Sequence, residues 1–175
     1  MEQFSICLAE EKDVDDIYRL MCEAKAGLSN PDYYEADDRE YVRRHIREEG
    51  FTLIAKADEV PAGFLMIRYP GLNEDNLLMD MIDKADAEKP EEQLLKALHF
   101  ESAAVLSSFR GHGIQKKLML EALELLKSTN YLYYLATVHP DNAASLISLK
   151  QCGFKVVGRL TKYGGMDRLL LYRDK

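Results

Sequence analysis

Glu101-Ser-Ala-Ala-Val-Leu-Ser-Ser-Phe-Arg110-Gly-His-Gly-Ile-Gln-Lys-Lys-Leu-Met-Leu120 reads as a buried strand, a glycine turn and the opening of a helix. The small and branched run Ser102 to Leu106 suits a strand, and the spacing of Ile114, Leu118, Ala122 and Leu125 is that of a helix face. Between them, Gly111 and Gly113 permit a tight turn and a close approach of backbone to a ligand. A helix start leaves amide N–H groups without partners and carries the positive end of the helix dipole. The turn is therefore expected to cradle an anion such as a phosphate.

On the N-terminal side, Phe4 to Ala9 predicts a strand, and Val14, Ile17 and Met21 mark a helix begun at Asp13. The loop from Gly27 to Glu35 sets Tyr33 and Tyr34 beside several carboxylates, which suits either a substrate entrance or a solvated acidic loop. Asp37 or Asp38 is expected to cap a second helix through Val42 and Ile46, with Gly50 ending it. Phe51 to Ala57 and Val60 to Tyr69 predict a hairpin across Asp58 and Glu59. The long connection from Pro70 to Lys96 has room for one or two short helices, and reads as a functional lid or as a surface insertion.

Past the central helix, Tyr131 to Val138 predicts a strand parallel to the central strand before that helix, because a helix intervenes. His139-Pro-Asp-Asn142 turns the chain into a helix with Leu146 and Leu149 on one face and Gly153 at its end. Phe154 to Leu160 and Arg168 to Tyr172 predict the last two strands. A chain of 175 residues without linker or repeat is expected to form one domain, 1–175.

A net charge of −7 argues against a nucleic-acid or anionic-membrane surface. The first residues lack a basic and apolar leader and no apolar run could span a bilayer, so a cytoplasmic protein is expected. Cys7, Cys22 and Cys152 form no Cys-x-x-Cys pair and are expected to be reduced. Lys116 occupies the third position of a dinucleotide-binding fingerprint, which needs a small residue there, and no P-loop run exists. His99-Phe-Glu101 matches half of a zinc-deaminase signature whose Cys half is missing, so no metal is expected.

The run Val105 to Gln115, with Arg110-Gly-His-Gly113 at its heart, resembles motif A of the GNAT superfamily of acyl-CoA N-acyltransferases. His139 to Phe154, with Asn142 after a strand and Gly153-Phe154 after a helix, is similar to the same family's motif B. The likeness is strong over roughly Phe100 to Gly158 and elsewhere follows the order of elements. It implies an α/β (α+β) GNAT fold: a mixed, twisted central sheet of about seven strands flanked by about four helices. Two residues depart from the pattern. Gln115 stands where Gly or Ala is usual and, being a good helix former, is expected to point outward. Leu149 stands where many members carry a Tyr that protonates the leaving thiolate.

As the resemblance implies, the cosubstrate is acetyl-CoA. The amides of Arg110, Gly111, His112, Gly113, Ile114, Gln115 and Lys116 would hold its pyrophosphate, and Ala103, Ala104 and Val105 would pair with its amide arm. A strand N–H near Val105 would polarise the thioester. Asn142 would bond the arm, or serve simply as a helix cap. Glu101 is the first candidate for the base that deprotonates an amine, and His99 the second, since strand parity sets them on one face with Ala103 and Val105. A salt-bridged Glu101 and a merely packed His99 are the plain alternatives. Tyr133, Tyr134 and Tyr163 are the candidate replacements for the missing proton donor, or else packing residues.

The resemblance, read with these residues, implies an acetyltransferase that moves an acetyl group from acetyl-CoA to a primary amine of a small molecule, by direct attack in a ternary complex. A protein or peptide N-acetyltransferase is the nearest alternative. A non-catalytic acyl-CoA sensor is the alternative from another class. No nucleic acid or membrane partner is expected, and a homodimer is compatible with the sequence.

Overall fold

The computed structural model describes residues 4–82, 90–162 and 164–175. Its elements run β1 (Phe4–Leu8), α1 (Val14–Ala26), α2 (Arg39–Arg44), β2 (Gly50–Ala57), β3 (Val60–Arg68), α3 (Pro90–Leu94), β4 (Ala97–Val105), α4 (Ile114–Leu126), β5 (Tyr133–Val138), α5 (Ala143–Gln151), β6 (Lys155–Lys162) and β7 (Met166–Asp174). The strands form one seven-stranded sheet in the order β1-β2-β3-β4-β5-β7-β6. Every neighbouring pair is antiparallel except β4 and β5, which are parallel, as the intervening α4 requires. The mixed α/β sheet meets the expectation from the sequence, with the one-turn helix α3 as the addition to the four flanking helices.

Both faces of the sheet are covered, which is why its middle strands read as continuous apolar runs rather than as alternations. Leu118, Ala122 and Leu126 of α4 pack on Leu53, Leu65, Leu98 and Phe100. Leu126, not Leu125, completes that helix face, and Leu125 is exposed. On the opposite face Val14, Ile17 and Met21 of α1 cover Ile54, Phe64 and Met66. The connection after β3 is no loose insertion: Leu77 and Leu78 pack with Leu94 against Ala97, Leu135 and Leu170. Residues 83–89 of that connection lie outside the described residues.

Asp38 caps α2, its carboxylate accepting from the Tyr41 N–H at 2.7 Å. The helix ends at Arg44, well before Gly50. Gly50 instead opens β2, where a Cβ would lie 1.8 Å from the Ile67 carbonyl oxygen across the strand pair. A close backbone approach, not a helix end, explains this glycine. Asp58 and Glu59 make the two-residue hairpin turn with positive φ at both positions, the geometry that matches strand twist. We expect Gly50→Ala to force the end of β2 off β3 and to lower stability by about 1–3 kcal/mol, the usual cost of overpacking, as measured by urea unfolding.

Candidate active site

The parallel pairing of β4 with β5 stops at Phe100 and Ala136. Beyond it β4 continues to Val105 along β3, while β5 continues to Val138 along β7. The β5-facing edge of β4 thus has no strand partner from Glu101 onward. A cleft of about 700 Å³ opens there, lined by Ala103, Ala104 and Val105, by Arg110, Gly111 and the stretch from Gly113 to Lys116, and by Asn142 to Ser145. A narrower inner cavity of about 80 Å³ continues past Glu101 and Ser102 to Leu149 and Arg168. The two share Tyr33, Tyr34, Ala103, Gln115, Asn142 and Ser145.

The turn has the form expected of an anion cradle. Gly111 and Gly113 have φ of 85° and 71°, and a Cβ at either would meet nothing within 4 Å. Left-handed backbone exposes the peptide there to open space that a ligand can enter. α4 has no side-chain cap, and its first backbone bond runs from the Lys117 N–H to the Gly113 carbonyl at 3.0 Å. The amides before it point out of the helix end. Of the residues expected to line this turn, His112 alone does not reach the cleft: its Nδ1 lies 3.2 Å from the Phe109 carbonyl and its ring sits against Phe4. Gln115 points inward rather than outward, its Nε2 donating to Ser145 Oγ at 3.0 Å and so tying α4 to α5 across the cleft. Asn142 caps α5, accepting from the Ser145 N–H at 3.3 Å, while also lining the cleft.

Glu101 is the extra residue of a β-bulge. Met66 faces Ser102 and Ile67 faces Phe100, so no residue of β3 stands opposite it. The bulge shifts the alternation of β4. Glu101 shares a face with His99, as parity predicted, but Ala103 and Val105 turn to the α4 side, packed against the core that holds Ile114. The Glu101 Oε1 accepts from the Tyr41 hydroxyl at 2.9 Å, its Oε2 lies 3.4 Å from His99 Nδ1, and the Arg68 guanidinium is 4.0 Å away. Arg68 is itself held by both oxygens of Asp75, at 2.7 and 2.9 Å. Burial alone would raise the Glu101 carboxyl, but His99, Arg68 and the Tyr41 hydroxyl together hold it down to about 2.

His99 is 1% exposed and its Nε2 accepts from the Leu77 N–H at 3.0 Å. That bond assigns the ring proton to Nδ1, on the Glu101 side. Burial keeps the imidazole neutral by lowering its affinity for a second proton. The 3.4 Å contact is longer than a good hydrogen bond, and Nδ1 has no closer partner among the described residues.

The loop between α1 and α2 roofs both cavities. The Tyr34 hydroxyl bonds Ser102 Oγ at 2.6 Å, the Tyr33 ring lies 5.0 Å from that of His139, and Arg168 Nη2 donates to the Asp32 carbonyl at 2.8 Å. The loop adds Glu35 and Asp37 to the inner cavity. Burial, next to the charges of Glu101, Glu35 and Asp38, pushes the Asp37 carboxyl up to about 6. Sequence reasoning had Asp37 only as a possible helix cap and missed Arg68, Tyr41, Ser145 and Arg168. No local pattern marks them, because they meet only through the fold.

The expected proton donors lie elsewhere. Tyr134 is buried in the core against Phe100, its hydroxyl without a hydrogen-bond partner among the described residues, and Tyr133 packs on the opposite side near Leu77. Neither lines the inner cavity, and Tyr163 lies outside the described residues. Leu149 does line it, as an apolar wall 3% exposed. Among the described residues no three His, Cys, Asp or Glu side chains could jointly hold a metal ion, and no helix is long and apolar enough to cross a membrane.

The family model described as Acetyltransferase (GNAT) family matches residues 14–154. Among solved structures, the ribosomal-protein-alanine N-acetyltransferase from Brucella melitensis is 20% identical, with 98% of this chain and 99% of that one covered and a TM-score of 0.71. The NatC complex bound to Gag peptide and CoA is 19% identical, covering 100% and 99%, with a TM-score of 0.72. The Salmonella typhimurium protein yncA with its cofactor acetyl-CoA is 17% identical, covering 98% and 94%, with a TM-score of 0.69. At such identities the likeness is one of fold. No curated protein matches the chain in sequence.

We expect Gly113→Val, a branched residue at positive φ, to cost about 1–2 kcal/mol of stability yet leave the protein folded. Its side chain would fill the cradle, so CoA affinity by calorimetric titration should fall about tenfold or more, the loss of one charge-assisted hydrogen bond. An unchanged affinity in the folded variant would remove the turn from the binding site.

Proposed function

This chain belongs to the acetyltransferase (GNAT) family, and we propose that it transfers an acetyl group from acetyl-CoA to a primary amine by direct attack in a ternary complex. The observation that carries this reading is the continuity of the two cavities, which lets a thioester in the outer cleft meet an amine in the inner one. Neither cavity is lined by a cysteine, which favours direct transfer over a thiol-bound acyl group. We treat residues 1–175 as one GNAT domain, a view supported by the single sheet that takes in strands from both ends of the chain.

In this reading acetyl-CoA supplies an activated acyl group, and the protein supplies position and charge. The amides from Arg110 to Lys116 receive the pyrophosphate, and the open edge of β4 from Ala103 to Val105 receives the amide arm as an added strand. A β4 amide near Val105 polarises the thioester carbonyl, and Asn142 bonds the arm from the α5 side. Glu101, ionised at neutral pH, attracts the acceptor ammonium to the point where the strands part. His99 does not touch the amine. It positions Glu101 through Nδ1–H.

The acceptor we favour is a small amine, because the inner cavity is narrow and Glu35, Asp37 and Glu101 suit an ammonium head with little attached bulk. The amino terminus of a protein or peptide is the second reading, favoured by fold neighbours that include ribosomal-protein-alanine N-acetyltransferases and the peptide-bound NatC complex. A panel of free amines against short peptides, scored by thiol release, separates the two. Acetyl-CoA should raise the melting temperature. Glu101→Gln should lower kcat/KM for the amine about 10- to 100-fold, mainly through KM, the scale of one hydrogen bond to a charged group. A panel that yields no thiol from a protein stabilised by acetyl-CoA would leave it a sensor instead.

A further inference from the structure

We propose that Asp37 is the base that takes the proton of the acceptor amine, while Glu101 serves as a fixed anion; this rests on the acetyl-transfer reading above. The two carboxylates line the same inner cavity but differ in what surrounds them. Glu101 is engaged by the Tyr41 hydroxyl at 2.9 Å, by His99 Nδ1 at 3.4 Å and by Arg68 at 4.0 Å. An anion so fully supported gives little driving force for accepting a proton. Asp37 stands on the roofing loop, half-buried, with its backbone N–H turned to the Met21 sulfur at 3.1 Å. Among the described residues no side chain donates a hydrogen bond to its carboxylate, and cap duty for α2 falls to Asp38. Its oxygens are therefore available to an ammonium in the cavity.

The charges around it act in the same direction. Glu35 and Asp38 on its own loop and Glu101 on β4 disfavour the anion, and Arg68 on β3 offsets them only in part. Arg168 of β7 lines the same cavity, with its guanidinium donating to the carbonyls of Asp32 and Asp167. A carboxyl with an affinity near pH 6 is better matched to proton transfer near neutrality than one near 2. The proton balance closes without a tyrosine at position 149. Asp37 takes one proton from the ammonium, the freed nitrogen pair forms the N–C bond, the C–S bond breaks, and the thiolate takes the nitrogen's surplus proton. Asp37 then releases its own proton to water, which gives amide, thiol and one proton from ammonium and thioester.

The sign for pH follows. A base must be unprotonated, so kcat/KM for the amine should fall as pH drops through about 6. Asp37→Asn should lower kcat about 10²- to 10⁴-fold, the usual worth of a general base, abolish that acidic limb and leave the acetyl-CoA melting shift intact. Asp37→Glu should restore part of the rate, and Glu101→Gln should retain an acidic limb moved to lower pH, since the Glu101 charge helps raise the Asp37 carboxyl, while raising the amine KM. An Asp37→Asn enzyme with the wild-type rate and limb, or a limb lost in Glu101→Gln instead, overturns the assignment of the base alone. A wild-type protein that neither binds acetyl-CoA nor releases thiol from any amine overturns the parent reading, and the proposal with it.

Discussion

The structure depends on one interruption of backbone pairing. β4 and β5 are hydrogen-bonded as a parallel pair only as far as Phe100 and Ala136, and the bulge at Glu101 begins where that pairing ends. A strand edge inside a sheet is normally covered because unpaired N–H and C=O groups are costly to bury. Here the edge faces a cleft, so water or a ligand with amide groups can meet it. The same interruption lets the glycine turn before α4 and the Asn142 cap of α5 approach from either side. The bulge leaves the Glu101 carboxylate on the face of Tyr41 and His99 and turns Ala103 and Val105 to the α4 side.

Rigidity around the gap comes from elements far apart in sequence. Gln115 and Ser145 tie the two helices that flank it. Ser102, His139 and Arg168 hold the roofing loop from three strands or their ends. The connection after β3 reaches the site as well: its Leu77 amide binds His99, and its Asp75 clamps Arg68. That segment packs its own apolar side chains against the sheet, which gives it the stability to act as a support. A preorganised carboxylate of this kind has no need to reorganise when charge arrives.

Most of the fold was legible because periodicity reports burial directly. The strand, turn and helix around Gly111 and Gly113, the parallel β5 and the Asn142 cap all follow from local pattern. Three of the details that were not legible have a non-local cause. Gly50 looked like a helix end because the backbone it approaches, at Ile67, lies in another strand. The facing of Ala103 and Val105 was misjudged because a bulge breaks the two-residue period and leaves no mark in composition. Asp37 resembled any acidic loop residue, since its burial depends on α1, β3 and β4 meeting around it.

The charge of the whole chain is a poor guide to what this cleft can attract. Net charge is −7, yet Arg110 and Lys116 stand at the turn end, where the positive pole of α4 adds to them. At the other end Glu35, Asp37 and Glu101 converge. A cleft with opposite poles orients two substrates at once, a polyanion with its phosphates at the turn and a cation at the carboxylates, and so brings their reactive ends together between them. The surplus of acid elsewhere on the surface is screened beyond about 10 Å at ordinary ionic strength, whereas the two poles act at contact distance inside the cleft. Local arrangement therefore outweighs the net sum, and an acidic protein can hold an anionic cosubstrate.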